Sequence, residues 1–372
     1  MKIAHVNMFY VPTFGGVEQV MYEIAQRQVN EGHEVHVFCT DSDKNQIIKK
    51  KNEIIDGVHI HRLPYWFRLS LNTFFWPSLL WRFKGNFDIV HSHVSGHAYI
   101  LFIGFLSKIK RFKHIHTTHC PWTDASFRPF IIRPILFLND IILNRFTFHL
   151  VDKIISITPW ELPILKKYIQ QNNKIKVIPN GTDKILFKKI SQNLFKQKYK
   201  IKERYMVLFF GRLNPTKAPE NLAKAAIAIT KKRKDIAFIW VGPDEGKANE
   251  VTSLIKQYSN MRYLGPIRGK EKIAEMYQAS DMYVLPSYRE GLPLTLFEAM
   301  ASGLPIIASP VNGIPFEMKE PENGFFAQYG DIQAIEDKII YLIENENIRK
   351  KIALNNFKKS LKYDWDNIYQ KY

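Results

Sequence analysis

At 372 residues the chain is too long for one ordinary domain, and at roughly 150 residues apiece two are expected. Hydrophobic residues at 46% and aromatics at 13% allow each a sizeable core, and no Gln-, Ser- or Pro-rich tract marks a disordered segment. A formal charge of +18 admits a nucleic-acid partner, an anionic membrane surface, or a genome that favours Lys, Ile and Asn; it bears on association rather than fold.

The N-terminal Met-Lys-Ile-Ala-His-Val-Asn reads as a first strand, Ile3–Asn7, and lacks the apolar core and cleavage site of a secretory signal. Gly15-Gly16 joins it to a helix over Val17–Asn30, whose apolar residues recur at helical spacing and which Gly32 ends. Further strands are expected at Glu34–Cys39, Asp88–His91, Lys113–Thr117, Lys153–Ile157 and Ile175–Ile178, with a core helix in the uncharged run Val94–Ser107. A Lys-rich, weakly patterned stretch between Thr182 and Arg204 marks a join. Beyond it, strands Met206–Phe210, Ala237–Val241, Met261–Leu264, Met282–Leu285 and Pro305–Ala308 alternate with helices at Ala218–Lys231, Asn249–Tyr258, Lys270–Gln278 and Leu294–Ser302.

This alternation predicts an α/β protein of two doubly wound parallel sheets, over residues 1–181 and 182–362. No stretch approaches the ~20 apolar residues of a spanning helix. Cys39 and Cys120 match no metal or disulfide spacing, so a cytoplasmic protein in a reducing compartment is expected.

In open parallel sheets ligands bind beyond the carboxyl ends of the strands, and the motifs fall there. Pro286-Ser-Tyr-Arg-Glu-Gly-Leu-Pro-Leu-Thr-Leu-Phe-Glu-Ala-Met follows a strand and opens a helix, with Pro293 suited to the first turn. Backbone N–H groups and the helix dipole there make a phosphate site, and Gly291 allows close backbone approach. Glu290 and Glu298, one before the helix and one within it, can face different parts of one elongated ligand. In Gly211-Arg-Leu-Asn-Pro-Thr-Lys, Arg212 offers forked donors to a phosphate and Lys217 a point charge. Gly15-Gly16 is a weaker signal, short of the dinucleotide fingerprint. Among the histidines, His114 and His116 alternate along a strand and no acidic ligand sits at a tight helical offset, so no metal is expected. His119, just past its strand, is a candidate to meet substrate, and His93 a weaker one.

Taken together these segments resemble the retaining GT-B glycosyltransferases of family 4, along essentially the whole chain. The family pattern is a Gly-Gly turn, a Gly-Arg…Lys loop and a Glu-x7-Glu, here Gly15-Gly16, Arg212 with Lys217, and Glu290 with Glu298. The resemblance implies two Rossmann-like domains facing each other across a cleft, an N-terminal one for the acceptor and a C-terminal one for a nucleotide-sugar donor. It implies that Arg212 and Lys217 neutralise the donor diphosphate, with N–H groups around Leu292, Pro293 and Leu294. Glu290 would contact the transferred sugar, Glu298 the ribose, Ile267 the base, and Gly16 the phosphates. His119 matches a histidine beside sugar and acceptor. No cofactor or metal is implied, and residues 363–372 resemble a terminal helix that crosses back onto the first domain. With no obvious nucleophile, front-face transfer is expected.

The acceptor is expected to be a glycan or lipid-linked molecule. Two stretches, Trp66–Phe83 and Arg128–Leu138, interleave bases with aromatics as an anionic membrane surface would favour; core-packing helices with snorkelling arginines are the other reading. The competing functions are a GT-B enzyme of other chemistry, such as a sugar-nucleotide epimerase, and a basic nucleic-acid-binding protein. No RNA-binding motif supports the last.

Overall fold

The structure, a computed structural model, describes residues 1–13, 15–43, 46–70, 73–122, 144–169, 171–189 and 192–372. It divides into two compact units, one of residues 1–179 with 369–372 and one of 180–368. The stretch Arg128–Leu138 lies outside the described residues.

In the first unit the strands are β1 (Lys2–Val6), β2 (Glu34–Thr40), β3 (Asn52–Ile55), β4 (Val58–Leu63), a separate hairpin β5 (Phe67–Ser70) and β6 (Thr73–Phe75), then β7 (Ile89–His93), β8 (Lys113–Thr117), β9 (Lys153–Ser156) and β10 (Ile175–Val177). The main sheet runs β10-β9-β8-β7-β1-β2-β4-β3, parallel except for edge strand β3 against β4. The order reverses between β1 and β7, so the loops after these two strands open a crevice. One sheet face packs Ala4, Val6, Ile103, Phe148 and Ile154; the other packs Val35, Val37, Met21 and Ala25 of the helix Gly16–Asn30.

In the second unit β11 (Tyr205–Phe210), β12 (Ile236–Val241), β13 (Met261–Tyr263), β14 (Met282–Leu285), β15 (Ile306–Ala308) and β16 (Gly324–Phe326) form one parallel sheet in the order β13-β12-β11-β14-β15-β16. β12 and β14 are buried along their whole length, as parallel strands covered on both faces must be. This order reverses between β11 and β14, and the loops after them carry Arg212, Lys217 and Glu290. Gly324 is required where it stands: with φ near 143°, a Cβ there would lie 1.8 Å from the Ile306 carbonyl oxygen.

Several expectations need correction. β3, β4 and β16 were not foreseen. Trp66–Phe83 is not the core-packing helix of one reading; it holds the β5–β6 hairpin and a single helical turn, Leu79–Arg82. The terminal segment divides. Thr182 pairs with Asp364 and Gly181 packs on the Trp365 ring, so the helix Trp365–Tyr369 sits in the second unit up to Ile368. Only Tyr369–Tyr372 belong to the first unit, where the Tyr369 hydroxyl donates to Glu31 (2.7 Å) and the Tyr372 ring lies 5.8 Å from that of His91.

Candidate active site

The β11 loop is shaped by close backbone contact. Gly242, with φ near 144°, lies where a Cβ would stand 1.9 Å from the Gly211 carbonyl oxygen, so this side of the site tolerates no side chain. Asn214 then turns the chain: its Oδ1 accepts from the Lys217 N–H (3.0 Å), and its carbonyl accepts from that of Ala218 (3.2 Å). Ala218 adopts φ near 46° and hands over to Pro219, which opens the helix Pro219–Thr230.

A backbone bond from Tyr288 N to Thr216 O (2.8 Å) ties this loop to the one after β14. Lys217 Nζ therefore reaches both Glu290 oxygens, at 2.5 and 2.6 Å. The Ser287 hydroxyl donates to the same carboxylate (2.6 Å), and Glu290 N–H donates to Asn312 Oδ1 (3.3 Å). Arg212 lies apart from that pair. Its Nη1 donates to Glu245 at 3.1 and 3.3 Å, and Asn214 Nδ2 donates to the same carboxylate (3.0 Å). Ser287 and Asn214 lie within the two quoted motifs without being singled out from sequence, and Asn312 and Glu245 lie outside both.

Gly291 and Leu292 lead into the helix Leu294–Ala301, whose N-cap is Pro293, one position earlier than expected, with no side chain capping it. Its first N–H groups point out of an uncapped helix end, where the dipole favours an anion. One turn in, half-buried Glu298 accepts from the Tyr277 hydroxyl (2.9 Å). Burial pushes its carboxyl up from 4.5 to about 7 against that hydrogen bond, and Asp183 adds to the rise. Ile267, half-exposed, follows a turn fixed by Gly242 N–H donating to Gly265 O (3.0 Å).

In the first unit, Gly15 is the N-cap of Gly16–Asn30 in an extended conformation and Gly16 is its first helical residue. Neither adopts a positive φ. A Cβ on Gly15 would lie 2.5 Å from Glu18 Oε2, so the Glu18 side chain would have to shift. His119 follows β8 and is half-buried, its Nε2 3.0 Å from His93 Nδ1. Among the described residues, His5, His91 and His93 form one group whose ligand atoms lie within 4.8 Å of one another.

Residues 14–184 match the family model described as Glycosyltransferase Family 4, and residues 191–359 match that of Glycosyl transferases group 1. The chain is 26% identical to an uncharacterized glycosyltransferase of Methanocaldococcus jannaschii, over 95% of this chain and 94% of that one. It is 28% identical to the Escherichia coli UDP-Gal:alpha-D-GlcNAc-diphosphoundecaprenol alpha-1,3-galactosyltransferase, over 95% and 92%. The fold matches that of the Anabaena protein HepE, solved with UDP and glucose, with a TM-score of 0.79 at 19% identity over 100% and 97% of the two chains. With both of its units matched in tandem, the chain belongs to the family 4, group 1 glycosyltransferases and is a hexosyltransferase of the GT-B fold.

Proposed function

We propose that this enzyme takes a sugar from a UDP- or GDP-sugar and passes it, with retention of configuration and without a metal or other cofactor, to a glycan or lipid-linked acceptor in the assembly of cell-surface polysaccharide, glycolipid or protein-linked glycan. The observation that carries this reading is the Lys217–Glu290 pair at the switch point of the second sheet, beside an uncapped helix N-terminus, with Arg212 on the same loop as Lys217. A lysine has three N–H donors; two go to Glu290, and the third suits a phosphate oxygen. Arg212 and the N–H groups near Leu294 add the remaining charge, so the leaving diphosphate is stabilised by protein groups alone. In front-face transfer the bond from the anomeric carbon to the phosphate oxygen breaks, that oxygen takes the acceptor hydroxyl's proton, and the acceptor oxygen bonds the same sugar face. Glu290 would hold the sugar's hydroxyls, Glu298 the ribose and Ile267 the base; by the family resemblance, Gly15 and Gly16 would meet the phosphates and His119 the sugar. A uridine donor is favoured by the UDP in the HepE structure and the UDP-Gal in the name of the E. coli relative.

A thermal-shift panel of UDP, GDP, ADP and their sugar conjugates, in EDTA, tests it. One nucleotide family should raise the midpoint by several degrees, since saturation at a hundredfold over Kd contributes ~2.7 kcal/mol, and Arg212→Ala should abolish the shift. Silence from every nucleotide would reject the donor site, and a shift that needs added divalent cation would reject the metal-free reading.

A lipid-linked acceptor, as in the E. coli relative's name, calls for a membrane-facing surface on the cytoplasmic side. Trp66, Phe67 and Trp81 stand 65%, 50% and 55% exposed, and the rings of Trp66 and Trp81 lie 6.4 Å apart. Arg82 and Lys84 share a surface groove with Trp81. Rings at headgroup level with cations beside them suit anionic lipid, and no described helix is long and apolar enough to cross a membrane. The enzyme should float with phosphatidylglycerol vesicles at low salt and lose that association in Trp66→Ser/Trp81→Ser; wild-type protein that stays at the bottom of the gradient rejects the surface.

A further inference from the structure

The first unit holds a line of side chains that the reaction above leaves unexplained. Gln28 Oε1, on the helix Gly16–Asn30, lies 2.7 Å from His5 Nε2 of β1; His5 Nδ1 lies 3.1 Å from His93 Nε2 of β7; and His93 Nδ1 lies 3.0 Å from His119 Nε2. His5 and His93 are wholly buried. All three rings are neutral. Burial brings His5 down to about 4 and His119 to about 3, and holds His93 well below its ordinary value. His91, its ring 4.2 Å from that of His93 and 5.2 Å from that of His5, opposes any further proton, and its own Nε2 is bonded to Thr117 Oγ1 (2.7 Å).

A neutral imidazole has one donor and one acceptor nitrogen, so the group at one end of the line decides every tautomer along it. With Gln28 Oε1 accepting, His5 carries its proton on Nε2, and His5 Nδ1 then accepts from His93 Nε2–H. His93 Nδ1 in turn accepts from His119 Nε2–H, which leaves His119 Nδ1 a bare lone pair. Turning the Gln28 amide over would move every proton to the other nitrogen and make His119 Nδ1 a donor. A metal held by His5, His91 and His93 would compete with this line for the same nitrogens, since ligation would break the bonds that His5 and His93 make.

The far end of the line is held as firmly. His119 and Cys120 adopt φ near 55° and 52°, a strained pair for residues other than glycine. Buried Glu161 over-determines the turn, accepting from Cys120 N, Trp122 Nε1, Ser156 Oγ and Ile157 N, each at 3.0 Å.

We propose that Gln28, His5 and His93 are positioning residues that lock His119 in its Nε2–H tautomer and so present Nδ1 as an acceptor for a hydroxyl of the sugar or the acceptor molecule. This rests on the reading that His119 meets substrate. A hydroxyl can donate to such a nitrogen, whereas a donor-locked ring would select a carbonyl or phosphate oxygen instead.

Long-range 1H–15N correlation on the full-length labelled protein reads the tautomer directly, independently of turnover. Wild type should show His119 protonated on Nε2. Gln28→Glu, an acceptor only, should preserve that tautomer and the activity. Gln28→Met removes the terminal acceptor: the tautomers should mix, and kcat should fall about tenfold with the donor KM within about twofold. A Gln28 that only stabilises the helix would lower the melting temperature of Gln28→Met without moving the tautomer, and that outcome overturns the inference, as does a wild-type His119 protonated on Nδ1. Wild-type turnover in His119→Ala would instead overturn the substrate contact, whichever tautomer is found.

Discussion

Lys217→Ala should lower turnover about a thousandfold and lower the melting temperature as well. The lysine and Glu290 side chains are only 15% and 6% exposed, so their ion pair is largely desolvated. Removing one member of such a pair leaves the other as an uncompensated charge, at a cost of about 3–5 kcal/mol. Here the Ser287 hydroxyl would remain as a side-chain partner of Glu290. The catalytic loss has a separate origin. A positioned donor at developing negative charge is worth about 10²–10³ in rate, and a full positive charge on the leaving diphosphate lies at the upper end. Glu290→Gln separates the two effects. It keeps the shape and the Ser287 contact but lacks the charge, so turnover should fall about a hundredfold while donor affinity by calorimetry changes little. Lys217→Ala/Glu290→Gln should recover melting temperature over Lys217→Ala and recover no turnover. Equal losses of turnover and donor binding in Glu290→Gln would reject its role at the sugar, and near-native turnover in Lys217→Ala would remove that lysine from the phosphates.

Glu298→Gln should make stability less sensitive to pH between about 4.5 and 7. The wild-type carboxyl titrates near 7 when folded and near 4.5 when unfolded. Between those values the native state holds a proton that the unfolded state has released, so stability falls as pH rises through the window and the loss is complete above 7. Its size is at most ~3.5 kcal/mol, at ~1.4 kcal/mol for each pH unit that separates the two values. Glutamine still accepts from Tyr277 and does not titrate. The variant and wild type should therefore melt together near pH 4.5 and diverge towards pH 8, with the variant higher. The buried histidines push the other way, stability rising with pH towards their unfolded value near 6.5, and comparing the two proteins at each pH removes their contribution. Curves that stay parallel from pH 4.5 to 8 would show that Glu298 is ionised throughout. Nucleotide binding should shrink the contrast, because a carboxylate accepting ribose hydroxyls is stabilised as the anion and its folded value falls back toward the unfolded one.

The alternation of short apolar runs with amphipathic helices was legible because it is local. β1, β2, β8 and β11 to β15 fall within a few residues of where periodicity places them. The β3–β4 hairpin had its signal in Asp56-Gly57, which adopt φ near 49° and 80° as a tight hairpin turn requires. That signal was readable and was missed, being surrounded by a basic, polar stretch. β16 had almost none: three residues become a strand only because Gly324 lets the backbone lie against Ile306. The Trp66–Phe83 stretch shows the limit of composition, since aromatics mixed with arginines suit an exposed helix and a half-exposed hairpin equally well.

By itself the amino-acid sequence determined the two α/β halves, the switch-point loops and the residue types within them, because hydrophobic period and glycine or proline placement act over a few residues. Tertiary structure alone decided the partners: Lys217 on Glu290, Arg212 on Glu245, Glu298 on Tyr277, and the line from Gln28 to His119. Each joins residues more than twenty positions apart. A charge or an imidazole acquires its role from whatever is desolvated beside it, and only the folded sheet brings those groups together.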